Sequence, residues 1–378
     1  MRLVLPALLL FFLAAPAAAL EHVTFQRDAK QQTASGKTVV RAQDGGILLI
    51  GRDGELWSLE PQEIVSERKD DEPFEPLSPD ELSAQLLREL PSGFEAYQTK
   101  HYLICHNTSR AYATWCGALF ERLYAAFANY WTRKGIELKE PEFPLVAVVF
   151  NSRESYAQYA AAELGATAES IVGYYSLRTN RITMYDLTGL ESTRNAQDRR
   201  GSAAQINRIL SRPEAEQVVA TIVHEATHQI AFNTGLQTRF ADIPLWLSEG
   251  LAVYFETPDL QSAKGWRGIG AVNASRLAKF REYRQTRPAG SLRTLIADDK
   301  RLRDARAALD AYAEAWALNY YLLQTHPREY LAYLQTLSAK QPLMWDDPET
   351  RLREFQNAFG QDLDQLDADF LRHMDKLR

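Results

Sequence analysis

The spacing of apolar positions changes along this chain, and the changes divide it. The first residues, MRLVLPALLLFFLAAPAAALEH, are apolar from Leu3 to about Ala15, with one early Arg and small residues at Ala17 and Ala19. That pattern predicts a secretory signal over residues 1–19, cut after Ala19. An uncleaved anchor needs about twenty apolar residues; this run barely reaches that length and contains Pro6 and Pro16. From Leu20 to about Leu90 the apolar residues come in short alternating runs, such as GGILLIGRDGELWSLE with Arg52-Asp53-Gly54 between two strands. These predict β-structure. The charged, proline-rich ERKDDEPFEPLSPDE reads as a linker, so residues 20–92 are expected to form a small β-rich module and its linker.

Beyond Phe94 the periods alternate. A strand is expected around HYLIC, then an amphipathic helix from about Ser109 to Arg133 carrying Leu119, Leu123, Phe127 and Trp131, then a buried strand in FPLVAVVF. A short helix over Ser155 to Glu163 precedes IVGYYSLRTNRITMYD, which suggests a hairpin turning near Arg178 to Asn180. Together these imply a mixed sheet covered by helices. The hairpin over 172–186 offers an edge that could receive an extended peptide by strand addition, or serve as a plain structural edge. Between Leu187 and Arg212 the chain turns polar, with Arg194, Arg199, Arg200 and Arg208. It reads as a surface loop and a candidate lid, its arginines either solvated or available to an acidic substrate. From about Lys264 the period is helical, in segments around 272–284, 303–325, 328–338 and 350–376. The expected fold class is therefore α+β: a domain with a mixed sheet over 93–260 and a helical C-terminal subdomain over 261–378, with a cleft between them.

Composition narrows the classes. With 378 residues, 46% of them hydrophobic, the chain can bury a substantial core and has room for two or three domains. The net charge of -6, with no run of Lys and Arg interleaved with aromatics, argues against nucleic acid as a partner. No segment after the leader is apolar enough to span a bilayer. Cys105 and Cys116 are the only cysteines, and in an oxidising compartment they are expected to form one disulfide, the alternative being two buried thiols. Asn107-Thr108-Ser109 and Asn273-Ala274-Ser275 match the glycosylation pattern, which matters only in a eukaryotic secretory pathway.

The chemistry concentrates in TIVHEATHQI, residues 221–230. Val218, Val219, Ile222, Val223, Ala226 and Ile230 recur at helical spacing. Ser211 and Glu214 form a possible capping box upstream, and Asn233-Thr234-Gly235 a plausible stop. On a helix, His224 and His228 project from one face and can reach one metal, while Glu225 lies one step round. The plainer alternative is an amphipathic helix with two half-buried histidines.

Two histidines leave a metal site open, so the downstream sequence matters. The metzincin extension fails, because Ala231 and Thr234 stand where it needs glycine and histidine. Further on lies IPLWLSEGLAVYFE, with Glu249 at 249 − 228 = 21 residues past the second histidine. Pro244 suits the first turn of a second helix, and Gly250 and Ala252 would let that helix approach the first closely. At this point the sequence resembles the gluzincin zinc peptidases, and looks closest to the peptidase MA-like group of exported proteins. The likeness extends over roughly residues 94 to 375. It implies a zincin-like catalytic domain, a Zn2+ cofactor held by His224, His228 and Glu249, and a fourth position for water. Glu225 is then the general base that takes a proton from the zinc-bound water and passes it to the leaving nitrogen.

The segment AYAEAWALNYYLL, residues 311–323, resembles the helix on which the aminopeptidase branch carries a catalytic tyrosine. With 312 − 249 = 63, the likeness nominates Tyr312 as a second catalytic residue, a donor to the oxyanion. Glu314 and Ala315 replace the Lys-Gly pair of that branch, and Tyr312, Trp316 and Tyr320 also form an ordinary helical stripe. The Gly-x-Met-Glu-Asn segment of that branch is absent, and Val253 stands where the thermolysin-like branch has aspartate. Asn233 or Glu256 is left to orient a zinc-binding histidine. The reading is an exported, periplasmic or extracellular zinc metallopeptidase acting on a peptide or protein. Its alternatives are a zinc-stabilised, catalytically silent binding or assembly module of the cell envelope, and a zinc amidase acting on a nonprotein amide.

Overall fold

The computed structural model describes residues 19–189, 202–256 and 268–377. The expected leader, apart from Ala19, lies outside the described residues, as do Arg194, Arg199 and Arg200 of the candidate lid. The fold is mixed α/β, with two sheets and thirteen α-helices among the described residues. The chain forms two compact units that divide between Pro76 and Leu77.

The first unit is one antiparallel sheet of β1 (Ala19–Arg27), β2 (Lys30–Arg41), β3 (Ile47–Gly51), β4 (Leu56–Leu59) and β5 (Ile64–Pro73), in the order β4-β3-β2-β1-β5. Val23, Phe25, Ile47, Leu49 and Leu59 bury their side chains together. The turn at Arg52-Asp53-Gly54 joins β3 to β4, and Gly54 takes the positive φ of 82° that the turn needs. The expected linker is corrected here. ERKDDEP belongs to β5, an edge strand paired antiparallel with β1, and its charges suit an edge that should not recruit other strands. SPDE opens α1 (Pro79–Glu89), capped by reciprocal bonds between Ser78 and Glu81.

In the second unit, β6 (Glu95–Gln98), β7 (Tyr102–His106), β8 (Leu145–Phe150), β9 (Gly173–Tyr175) and β10 (Arg181–Tyr185) lie in the order β6-β7-β8-β10-β9. The pairs β7–β8 and β8–β10 are parallel, and the outer pairs are antiparallel. Parallel neighbours require crossovers. These are α2 (Arg110–Arg133), capped by Ser109, and α3 (Arg153–Leu164), capped by Ser152. Every residue of β7, β8 and β10 is buried, as expected of strands covered on both faces.

Cys105 on β7 and Cys116 on α2 are buried free thiols rather than the expected disulfide. Both are part of the apolar core, where a free cysteine packs as a small hydrophobe. The polar stretch before residue 212 also holds a helix, α4 (Ala203–Leu210), whose Ile206, Ile209 and Leu210 are buried. Next come α5 (Pro213–Asn233), which packs on β9 and β10, and α6 (Leu245–Phe255). The capping box expected from Ser211 and Glu214 is not formed. Arg212 is the cap residue and Pro213 fills the first turn, where its missing N–H is no loss.

The remaining helices are α7 (Ala274–Arg284), α8 (Ser291–Ala297), α9 (Lys300–Arg303), α10 (Ala308–Thr325), α11 (Pro327–Ser338), α12 (Pro348–Phe359) and α13 (Leu363–Asp375). Gly360, at φ 108°, breaks the segment expected as one helix over 350–376 into two. α10 lies against both α6 and α7. The close approach expected from Gly250 is made to α10 rather than to the HExxH helix: a Cβ on Gly250 would stand 2.5 Å from the Ala315 carbonyl oxygen and 2.1 Å from Asn319 Nδ2. None of the described helices is long and apolar enough to cross a membrane.

Candidate metal centre

Two helices, α5 and α6, set the geometry. α5 is fixed to the sheet by Gln229, whose amide Nε2 donates to the carbonyls of Val146 (3.0 Å) and Asn180 (2.9 Å). The same helix carries His224 and His228, both buried, and the partly buried Glu225. α6 begins at Leu245, with Pro244 as its cap residue, and brings Glu249 to them. The backbone N–H of Leu245 donates to Asp299, 3.0 Å away, which satisfies one amide of the helix's first turn.

Three potential ligands converge as the sequence predicts. His224 Nε2 is 3.0 Å from Glu249 Oε2 and 3.1 Å from His228 Nε2, and His228 Nε2 is 3.5 Å from the same carboxylate oxygen. Tetrahedral coordination with bonds of about 2.0–2.1 Å separates donor atoms by about 3.3–3.4 Å, close to this spacing. No other group of three or more His, Cys, Asp or Glu with such geometry is found among the described residues.

The proton positions make the case stronger than the distances alone. His224 Nδ1 lies 2.7 Å from Glu256 Oε1; a carboxylate only accepts, so that nitrogen carries the hydrogen. Ser248 Oγ donates to Gln237 Oε1 at 3.0 Å and so accepts from His228 Nδ1 at 3.3 Å. In the neutral form of each ring this turns the Nε2 lone pair toward the Glu249 oxygen, so that a cation can take the place of the Nε2 proton; the arrangement fits a bound metal ion.

The electrostatics agree. Burial disfavours a charge on His224, yet Glu249 and Glu256 raise its pKa well above the ordinary value, so the site draws positive charge. Burial also opposes the charge on Glu249, but the two imidazoles overcome it and hold its pKa below the usual carboxylate range. Glu256 behaves likewise: burial is outweighed by His224 and by Arg276, whose Nη2 is 3.5 Å from Oε1.

Glu225 differs from both. Burial raises its pKa, with His224 and His228 only partly compensating, which suits a group that must take up a proton. Its Oε2 accepts from the backbone N–H of Tyr175 at 2.8 Å. Tyr175 ends β9, the sheet-edge strand, so the hairpin edge and Glu225 border the same space. Tyr312 also lines this cleft. Burial raises the pKa of its phenol, as do the nearby carboxylates of Glu249 and Glu225. Trp316 and Tyr320 of the same stripe are core residues.

Of the two orienting candidates, Glu256 is the one that reaches a histidine. The Asn233 amide donates instead to Asn180 Oδ1 and the Gln229 carbonyl, each at 2.7 Å. The spacing 256 − 249 = 7, two helical turns on one face, was the available signal. The role of Ser248 had none. Glu314, replacing a lysine of the resembling branch, is wholly buried and paired with Arg287 and Arg301, each at 2.7 Å. It anchors α10, and with it Tyr312.

Residues 218–344 match a family model described as a protein of unknown function, DUF1570. The matched range contains His224, Glu225, His228, Glu249 and Tyr312. No curated protein matches the chain.

Proposed function

We propose that this chain is an exported zinc-dependent peptidase with a zincin-like catalytic domain. The observation that carries the reading is the placing of Glu225, a carboxylate of raised pKa, beside three convergent lone-pair donors in one cleft. A structural metal site has no use for such a neighbour. Export rests on the leader pattern, and a peptide or protein substrate on the open cleft beside a sheet edge.

His224, His228 and Glu249 would hold the ion, which would supply Lewis acidity, polarising a carbonyl and acidifying water. Glu225 does the proton work. Its Oε2 is engaged by Tyr175 N–H, which leaves Oε1 to take the proton from an attacking water and return it to the departing nitrogen. With the ion in place, Glu256 and Ser248 would hold the two imidazoles by their Nδ1 atoms and leave each Nε2 for the metal. Tyr312 keeps its phenolic proton at neutral pH and is available as a donor to a developing oxyanion. The edge of β9 can align an extended chain beside Glu225.

The test compares wild type with Glu225→Gln on a mixed peptide library, with zinc counted in both. The expected result is one zinc in each and cleavage by wild type only. Equal cleavage by both would remove Glu225 as the base. Zinc without cleavage of any peptide or envelope protein would favour a binding or assembly module.

A further inference from the structure

The cleft carries charged groups at the metal donors and at Asp299 and Arg303, which lie 3.8 Å apart. Much of the remaining lining is apolar, from Leu177, Phe232, Phe240, Ile243, Leu245 and Trp345, and the whole has a volume of ≈ 430 Å³. That falls within the range of sites that enclose a small ligand or a side chain with its flanking backbone. Phe240 and Trp345 come from loops about a hundred residues apart.

Those loops are held with unusual firmness. Phe240 and Leu343 adopt left-handed backbone, at φ 60° and 64°, which bulky residues avoid unless the surroundings enforce it. Leu343 N–H donates to the Phe240 carbonyl at 2.7 Å, tying the loops together. Beneath them, Arg351 binds Asp242 at 3.0 Å through Nε and Asp299 at 2.8 Å through Nη1. Lys340 binds Asp346 and, at 2.6 Å, Glu354. Asp242, with 1% exposure, fixes the first loop, and Lys340 and Asp346 bracket the second. Onto this support the chain places Trp345, 66% exposed. An indole left in water on a rigid loop at the mouth of a cleft is an anchor for an apolar group.

Resting on the peptidase reading for the nature of its ligand, we propose that Phe240 and Trp345 form a selectivity rim. It receives a large apolar side chain, preferably aromatic, of a peptide whose adjacent bond is thereby brought to Glu225. The ring packs on the apolar lining beside the indole, while the peptide backbone runs past the metal donors. Small side chains leave the rim in water and gain nothing from it.

The test is binding, kept apart from turnover. Zinc-loaded Glu225→Gln protein is titrated by calorimetry with acetylated, amidated pentapeptides Ala-Ala-X-Ala-Ala, where X is Phe, Leu, Ser or Asp. Phe is expected to bind at least about tenfold more tightly than Ser, the loss an anchoring aromatic shows on truncation. Adding Trp345→Ala or Phe240→Ala should abolish that preference. Trp345→Phe should largely keep it, and Met344→Ala, at the exposed neighbour outside the cleft, should leave it intact. Equal binding of Phe and Ser peptides, or a preference that survives Trp345→Ala, overturns the proposal. If the preference depends on Trp345 but wild type cleaves no peptide, the rim stands and the peptidase reading fails. If wild type cleaves Phe and Ser peptides alike, the rim alone fails.

Discussion

Replacing Gly250 by alanine tests whether the third ligand is positioned by the contact between α6 and α10. The new methyl would stand 2.1 Å from Asn319 Nδ2 and 2.5 Å from the Ala315 carbonyl oxygen, so the helices must separate or Asn319 must leave. Overpacking of this kind costs about 1–3 kcal/mol. Displacing Asn319 also endangers its bonds to the carbonyls of Trp246 (2.9 Å) and Ala315 (2.8 Å), worth about 1 kcal/mol each. The better helix propensity of alanine returns about 1 kcal/mol. A net loss of about 2–4 kcal/mol in a unit of this size lowers Tm by about 3–6 °C. Because Glu249 precedes the substituted residue, zinc affinity should fall as well. Differential scanning calorimetry of the zinc-loaded and apo proteins, with a zinc competition titration, measures both effects. An unchanged or higher Tm together with wild-type zinc affinity would refute the helix contact as described.

Other outcomes follow from the same geometry. Glu256→Gln weakens the partner of His224 Nδ1 while keeping its shape, and should lower zinc affinity about 10- to 100-fold in a competition assay. Burial pushes the Cys105 thiol up to about 12 and raises that of Cys116 as well; a thiol reagent at pH 8 should therefore modify neither in the native protein and both after denaturation. In the first unit, the bond from Arg27 lowers the Glu63 pKa to about 2, below its ordinary 4.5. A depressed carboxylate adds stability that is full above its unfolded value and lost as pH falls through the folded one. The protection of the β1–β5 ladder amides, with exchange corrected for its intrinsic pH dependence, should thus fall between about pH 4.5 and pH 2, by no more than about 1 kcal/mol at this surface pair, and Glu63→Gln should remove that dependence.

Features governed by local period were legible in the sequence. The HExxH helix, its stop at Thr234 and Gly235, the buried strand at 145–150 and the capped helix at 110–133 all follow from spacing and end signals. Glu249 was legible because its surroundings form a motif. β5 was not, since an edge strand exposes most of its residues to water and its Lys, Asp and Glu look like linker composition. α4 was overlooked because three apolar residues suffice to seat eight. The partner of Gly250 was misassigned because a missing side chain signals a close neighbour without naming it. The aromatic rim is a purely tertiary feature: Phe240 and Trp345 have no common period, and a backbone bond between their loops and the ion pairs beneath bring them together.

The central claim is that His224, His228 and Glu249 hold one zinc ion. Anomalous diffraction at the zinc edge, from crystals of protein dialysed against limiting zinc, tests it most directly. The account predicts a single strong peak within bonding distance of both Nε2 atoms and a Glu249 oxygen, present in Glu225→Gln and lost in His228→Ala. An absent peak, or one that persists in His228→Ala, would contradict it.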